Sequence, residues 1–512
     1  MTGSDVAPEF IVIGSGPAGV SAAIPLVEAG RRVLMIDGAT ERDAVRYEPW
    51  RRMLGDRLEA LLPDDGLSPK WRTPEARQVI GAFQRRANFE EVDFLVSGAL
   101  ARGGLSRIWG NFVAELDDGD LAGWPVTAED LQPSYRTVTD RIGVSGSSDD
   151  DMAAFYGRSG ELLAPPALSP IAAGMLERYA SARPDPAFAL GRARNALITS
   201  DRGSRQACDL SFGCLWGCAR GAIYDARQDL ALLRERANFQ LLDQATATRL
   251  ARVEGAWEVA TTEGPRLRAP RLVVAAGTLG SLRLVASLID LAGAQLRLLN
   301  SPVMAVPLVV AHRLRHEAHG HALAQLGFRL TYSAAPHDYV SGGVYEVTAL
   351  PTSFFAAQLP LGRRAATAIF RALAPALAIA VVYFPGHCSA NEVTVRPSAD
   401  GPHIRIRGGV TQSFAGTARQ VRVRLARIWR KLGAFALPGA TVATPGTDAH
   451  LGGLFPMGGP QAHGTSRDGE LNAAPGVHLV DGSVLPTVSS KFTTLTIMAN
   501  ADRIGRHLAG LA

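Results

Sequence analysis

Hydrophobic positions along the chain follow two rhythms: short unbroken apolar runs, and longer stretches in which apolar residues recur every three or four positions. Phe10–Ile13 and Val33–Ile36 are runs of the first kind. Between them lie the turn Gly14-Ser15-Gly16-Pro17-Ala18-Gly19 and a small-residue helical stretch. Runs of that length bounded by turn residues predict buried strands, so the chain opens strand, turn, helix, strand. Pro25 falls inside the predicted helix and is expected to kink it or end its first half.

Further along, Asp43 to Leu62 places Trp50, Met53, Leu54, Leu58 and Leu61 on one helical side, and Ala76 to Ala87 is again helix-like. Thr127 with Asp130 predicts a capping box opening a helix after Gly123-Trp124-Pro125. Gly146 to Asp151 is the best linker of the first third. Gln240 to Gly277 alternates like β-structure, with turns near Glu254 and Gly264, and leads through Gly277–Gly280 into a helix near Ser281 to Leu284. Short strands are predicted at Ala378–Phe384, Val393–Arg396 and Ile404–Ile406, and helices at Gly416–Leu432 and Thr493–His507. No repeat period stands out.

Composition changes this picture little. At 512 residues the chain exceeds one ordinary core, so two domains, or one with an inserted layer, are expected. The net charge of +5 comes almost wholly from Arg, Lys occurring only at 70, 431 and 491, and no basic stripe interleaved with aromatics points to nucleic acid. The longest uncharged apolar run, Ala372–Phe384, is too short to span a bilayer and contains Pro375, so it reads as a helix end plus a buried strand. No basic and apolar leader precedes the first strand, so a cytoplasmic protein is expected. Four cysteines in that setting argue against a disulfide framework. The spacing of Cys208, Cys214 and Cys218 fits no zinc or iron–sulfur ligand set, so no metal is expected; a buried Gly-rich loop (Gly213, Gly217, Gly221) is.

Three segments invite chemistry. In the first, Gly14 allows the sharp turn, Gly16 lets backbone approach a pyrophosphate, and Gly19 lets the helix pack near the strand. Asp37, roughly 20 residues on, is placed to accept from both hydroxyls of an adenosine ribose and would repel a 2′-phosphate. In the second, Gly103, Gly104, Ser106 and Trp109-Gly110-Asn111 describe backbone passing close to something flat or bulky, or a Gly-rich loop around a packed Trp. In the third, His450 lies among glycines, where a histidine is by itself more often structural than catalytic.

Together these motifs resemble the glucose-methanol-choline family of flavin oxidoreductases, over nearly the whole chain. The matching stretches are GSGPAG with Asp37, GGLSRIWGN at 103–111, GWPVTAEDL at 123–131, VVAAGTLGSLRL at 273–284, HLGGLFPMG at 450–458, and VHLVDGSVLPT before the TIMANADRI helix. The resemblance implies FAD, with its ADP half on Gly14, Ser15, Gly16, Pro17, Ala18, Gly19, Asp37 and Gly38. It likewise puts Gly103, Gly104, Ser106, Trp109, Gly110 and Asn111 along the flavin, Ala276 and Gly277 by the adenosine, and Asp481, Gly482 and Thr493 on the other side. His450 would take the hydroxyl proton of an alcohol while the carbinol hydride passes to flavin N5. The family's second His or Asn falls here on Phe492, which cannot hydrogen-bond a hydroxyl, and Lys491 is the candidate stand-in, stabilising an alkoxide or a reduced anionic flavin. The 450 loop also lacks one hydroxyl of the family's usual Gly-Thr-x-x-Met-Gly pattern.

The expected fold is α/β: a doubly wound, Rossmann-like FAD-binding domain (1–149, 196–300 and 443–512) and an α+β substrate domain on an antiparallel sheet (150–195 and 301–442). The expected reaction is oxidation of a small-molecule alcohol, a sugar, polyol or cyclitol, with the electron acceptor undetermined and His387, Tyr345, Trp109 and Asn111 in the pocket. A flavoenzyme of this fold doing non-redox chemistry and a flavin binder without turnover are the alternatives.

Overall fold

Phe10–Ile13, buried at all four positions, is the central strand of a five-stranded parallel sheet. Across that sheet run Val477–Leu479, Arg271–Val274, Phe10–Ile13, Val33–Ile36 and Phe239–Leu242, with Phe10 level with Arg271 on one side and Val33 on the other. Strands covered on both faces must be apolar throughout, which is why Phe10–Ile13 and Val33–Ile36 read as continuous runs rather than alternations. The computed structural model describes residues 7–39, 71, 73–182, 185–211, 214, 217–262, 264, 266–310, 313, 323–335, 338–347, 355–356, 359–398 and 401–511. The helix expected over Asp43–Leu62 and the Gly213 position lie outside them.

The helix after the first strand, Pro17–Glu28, starts with proline in its first turn and packs against the C-terminal helix Thr494–Ala509. At the crossing a Cβ on Gly505 would lie 2.5 Å from the Ala22 carbonyl oxygen and 2.7 Å from the Pro25 ring. Pro25 does not end the helix's first half: the helix runs on to Glu28. The proline stands in the closing turn, where its missing N–H costs one bond, and Gly505 leaves room for its ring. The capping box at Thr127 and Asp130 forms and opens Ala128–Ile142.

The second sheet is antiparallel and has seven strands. Phe435–Ala436, Val303–Val309, Leu377–Tyr383, Tyr339–Glu346, Leu326–Thr331 and Phe188–Arg192 run in that order, and Thr441–Val442 also pairs with Val303–Val309. Alternation divides its faces. Met304, Val306, Leu308, Ala378, Ala380 and Val382 pack into a core with Met175, Val421 and Trp429 from helices Pro170–Ala182 and Phe414–Lys431. The intervening residues face the other way, toward the parallel-sheet side of the molecule. Ala372–Phe384 is a helix end (Arg363–Leu373) followed by a buried strand, as its pattern predicts. A meander at 247–269, a four-stranded mixed sheet containing Asn391–Arg396 and His403–Arg407, and a short parallel pair of Val144–Ser145 with Leu162–Leu163 make up the remaining sheets among the described residues. Among the described residues no helix is long and apolar enough to cross a membrane.

Gly505→Val is expected to cost about 1–3 kcal/mol by overpacking the helix crossing. Gly416→Ala, where a Cβ meets nothing within 4 Å, should stabilise by about 0.5–1 kcal/mol. Urea unfolding of the two variants, run side by side, checks both signs.

Candidate functional site

The carboxyl ends of the parallel strands open onto one continuous cavity of about 1320 Å³ that reaches the inner face of the antiparallel sheet. Its floor is glycine because backbone crosses backbone there. A Cβ on Gly14 (φ +106°) would lie 2.4 Å from the Ala275 carbonyl oxygen, and one on Gly19 only 1.9 Å from that of Gly14. Gly16 differs: a Cβ there would meet nothing nearer than Gly104 Cα at 3.8 Å, so its backbone faces open space. Pro17, Ala18, Asp37, Gly38, Ala276 and Gly277 line the same stretch of wall.

Ser15 ties three parts of this floor together. Its hydroxyl donates to Asp37 Oδ2 at 2.5 Å, its N–H donates to the same oxygen at 3.0 Å, and its Oγ accepts the Gly103 N–H at 3.1 Å. Asp37 Oδ1 accepts from the Ala39 N–H at 2.8 Å. Burial pushes the Asp37 carboxyl above its ordinary value, against the pull of these donors.

Three helices begin on the cavity wall: Pro17–Glu28, Thr278–Leu288 and Thr494–Ala509. Their N-caps, Gly16, Gly277 and Thr493, make no side-chain capping bond, so first-turn N–H groups are left for another partner. Asp481 and Gly482 line the cavity beside them. The Asp481 carboxylate accepts from Ser281 Oγ at 2.5 Å and from the Ser483 N–H at 3.0 Å, fixing this turn from inside, while burial raises its pKa.

The second glycine loop reaches the cavity at Gly104, Ser106, Trp109, Gly110 and Asn111, with Gly103 (φ +81°) just behind it. Ser106 is a post rather than a ligand: its hydroxyl donates to the Gly103 carbonyl at 2.6 Å and accepts the Ala226 N–H at 3.0 Å. Trp109 Nε1 donates to the Tyr224 carbonyl at 2.9 Å. Asn111 is fully buried and left-handed (φ +48°), and neither end of its amide has a partner among the described residues. A buried amide that lines a cavity with both ends unsatisfied is the mark of a bound polar group.

At the far end of the cavity stands His450. Its ring centroid lies 5.3 Å from that of Tyr383 and 6.0 Å from that of Phe492, which stacks on Phe112 at 4.1 Å. Two residues earlier, buried Asp448 accepts from Asn300 Nδ2 at 3.0 Å, from the Ser301 N–H at 2.9 Å and from the His450 N–H at 3.2 Å. Burial pushes its carboxyl up to about 6.

Lys491 is not brought here. It is 1% exposed and off the cavity wall, its Nζ 2.8 Å from Asp117 and 2.7 Å from Asp120, over the Phe155 ring at 4.7 Å. Burial raises the Asp117 carboxyl, but the Lys491 charge together with the hydrogen bonds from Lys491 and the Asp120 and Gly119 backbone holds it below its ordinary value. His387 is also elsewhere, half-exposed and 3.3 Å from Asp338, whereas Tyr345 does line the cavity. Cys208, Cys214 and Cys218 pack with Leu197, Ile223 and Trp109, and among the described residues no group of three His, Cys, Asp or Glu could hold a metal. Asp448, Tyr383 and Phe112 carry no motif of their own; for Asp448 the one signal was its place two residues before His450.

A cavity at the carboxyl ends of a parallel sheet, covered by a second, antiparallel sheet, places the chain in the two-domain α/β class of fold. The chain is similar to the crystal structure of pyridoxine 4-oxidase from Mesorbium loti, with a TM-score of 0.63 at 16% identity over 98% of this chain and 99% of that one. At that identity the likeness establishes the fold alone. No protein-family model and no curated protein matches the sequence.

Asp448 yields a pH test. Its folded pKa of about 6 exceeds the ordinary 3.8, so the native state holds the extra proton between those values. Its contribution therefore lowers stability as pH rises from about 4 to 6, the cost of burying the charge. Asp448→Asn is expected to flatten this part of the melting-temperature profile. Ser15→Ala, which strands the Gly103 N–H, should cost about 1–2 kcal/mol, and because it also takes a donor from Asp37 it should steepen rather than flatten the same part of the profile.

Proposed function

We propose that the protein is an FAD-dependent oxidoreductase that converts an alcohol to a carbonyl. The observation that carries this reading is the single cavity joining the Gly16 and Asp37 floor to the His450 ring. The residues present fit the cofactor. The open backbone at Gly16 and the three helix starts suit a pyrophosphate, Asp37 retains acceptor capacity for ribose hydroxyls, and the unsatisfied Asn111 amide awaits a polar ring edge. The carboxylate at Asp37 disfavours a phosphorylated ribose. The similarity of fold to an oxidase agrees with this assignment.

When bound, the flavin supplies a hydride acceptor. In this proposal His450 accepts the hydroxyl proton, imidazole being the side chain whose ordinary titration range lies near neutrality. Asp448 holds the backbone of the His450 loop, while Tyr383, Phe492 and Phe112 keep water from the reacting carbon. Lys491 takes no proton; it positions the segment leading to Phe492 through its two aspartates. Segments 1–149, 196–300 and 443–512 would hold the cofactor, and 150–195 with 301–442 would cover the substrate.

Purified protein supplied with FAD is expected to turn yellow, and anaerobic addition of a substrate alcohol to bleach it. His450→Ala should keep the colour and slow bleaching by about 10²–10⁴-fold. An unchanged rate would remove His450 as base, and a protein that refuses FAD would overturn the assignment.

A further inference from the structure

We infer that the substrate is an apolar carbinol carrying an aromatic ring, not the sugar or polyol expected from the sequence. The inference rests on the oxidoreductase reading of the same cavity and deepens it. The wall opposite the glycine floor is one face of the antiparallel sheet. Register places Val303 beside Tyr383, Ala305 beside Val381, and Tyr345 beside Ile379, and all six line the cavity. Because alternate residues of a strand share a face, the next residues along, Met304, Ala380 and Val382, are turned into the core behind. Among the described residues no Asp, Glu, Lys or Arg of this sheet reaches the cavity.

The polar atoms at this end are few. Among the side chains here they are the His450 ring, the Asn111 amide, whose two ends are unsatisfied, and the Tyr345 and Tyr383 hydroxyls. Asp448 also borders the cavity, but its oxygens are taken by Asn300, Ser301 and His450. A hexose or cyclitol brings five or six hydroxyls. With His450 on the reacting one and Asn111 facing the cofactor, two tyrosine hydroxyls remain for the rest. Each hydroxyl left against Val303, Ala305, Ile379 or Val381 costs on the order of tenfold in affinity.

An aromatic carbinol has one hydroxyl to satisfy, and the site answers its ring in kind. Phe112, Phe492, Tyr383 and His450 form a chain of rings with neighbouring centroids 4.1 to 5.3 Å apart, the spacing at which aromatic rings attract. Phe492 thus acquires a reason at the position where a second hydrogen-bonding residue was expected: it supplies ring contact. The reaction balances as for any alcohol: the carbinol C–H leaves as hydride to the flavin, the O–H proton goes to His450, and the C–O bond becomes a carbonyl.

The test separates binding from turnover. 2-Phenyl-2-propanol has no carbinol hydrogen, so it reports occupancy alone, read by its perturbation of the flavin absorption of the holoenzyme. It is expected to saturate, while myo-inositol and glucose leave the spectrum unchanged. Val381→Asn should weaken its binding about tenfold, and Val381→Ile should bind within about threefold of the parent. In the companion anaerobic assay benzyl and cinnamyl alcohol should bleach the flavin. Saturation by the tertiary carbinol with no bleaching by any alcohol would sustain the apolar site and sink the oxidation reading. Bleaching by polyols but not by aryl carbinols would do the reverse. Absence of binding by 2-phenyl-2-propanol to protein that holds FAD would overturn the inference outright.

Discussion

Everything in this molecule hangs on main chain passing within touching distance of main chain. Gly19 lies over the Gly14 carbonyl, Gly14 over that of Ala275, and Gly482 over that of Leu451, each at a distance that a methyl group would forbid. The first two contacts draw the first helix down onto the parallel sheet. The third, with the Thr278 hydroxyl donating to the same Leu451 carbonyl, pins the His450 loop to the sheet's carboxyl edge. A residue more than four hundred positions away is thereby delivered to a cavity that begins at Gly14.

Much of this was legible in the sequence because it is local. The strand–turn–helix–strand opening, the capping box at Thr127 and the buried strand within Ala372–Phe384 follow from period, propensity and turn chemistry over a few residues. Most of the residues expected beside a nucleotide also lie on one cavity wall. What failed was the direction of individual side chains. Lys491 and Phe492 are neighbours, and only packing decides that the ring enters the cavity while the ammonium turns toward Asp117 and Asp120. The resemblance puts Ser106 along the flavin, and its hydroxyl serves two backbone groups. Pro25 looked like a helix breaker, and its tolerance depends on a glycine 480 positions later.

The character of the substrate wall was hidden for a related reason. Burial alternates along Val303–Val309 and Leu377–Tyr383, but both faces are apolar apart from the Tyr383 hydroxyl, so the sequence pattern alone does not say which one meets the cavity. Only the helices on the far side decide it. Once Met304, Ala380 and Val382 are committed to that core, Ala305, Val381 and Tyr383 are left to define what the cavity can hold.

The buried cluster around Lys491 bears on how the protein comes apart. Asp117 and Asp120 belong to the early chain, Tyr339 to the antiparallel sheet, and Ser489 and Lys491 to the approach to the final helix, and hydrogen bonds join them all. Were the sheet to peel away alone, it would strip the cover from a desolvated ion pair before releasing any compensating freedom in the rest of the chain. The two halves are therefore coupled in melting as well as in space, and the chain should lose its structure in one cooperative step rather than domain by domain.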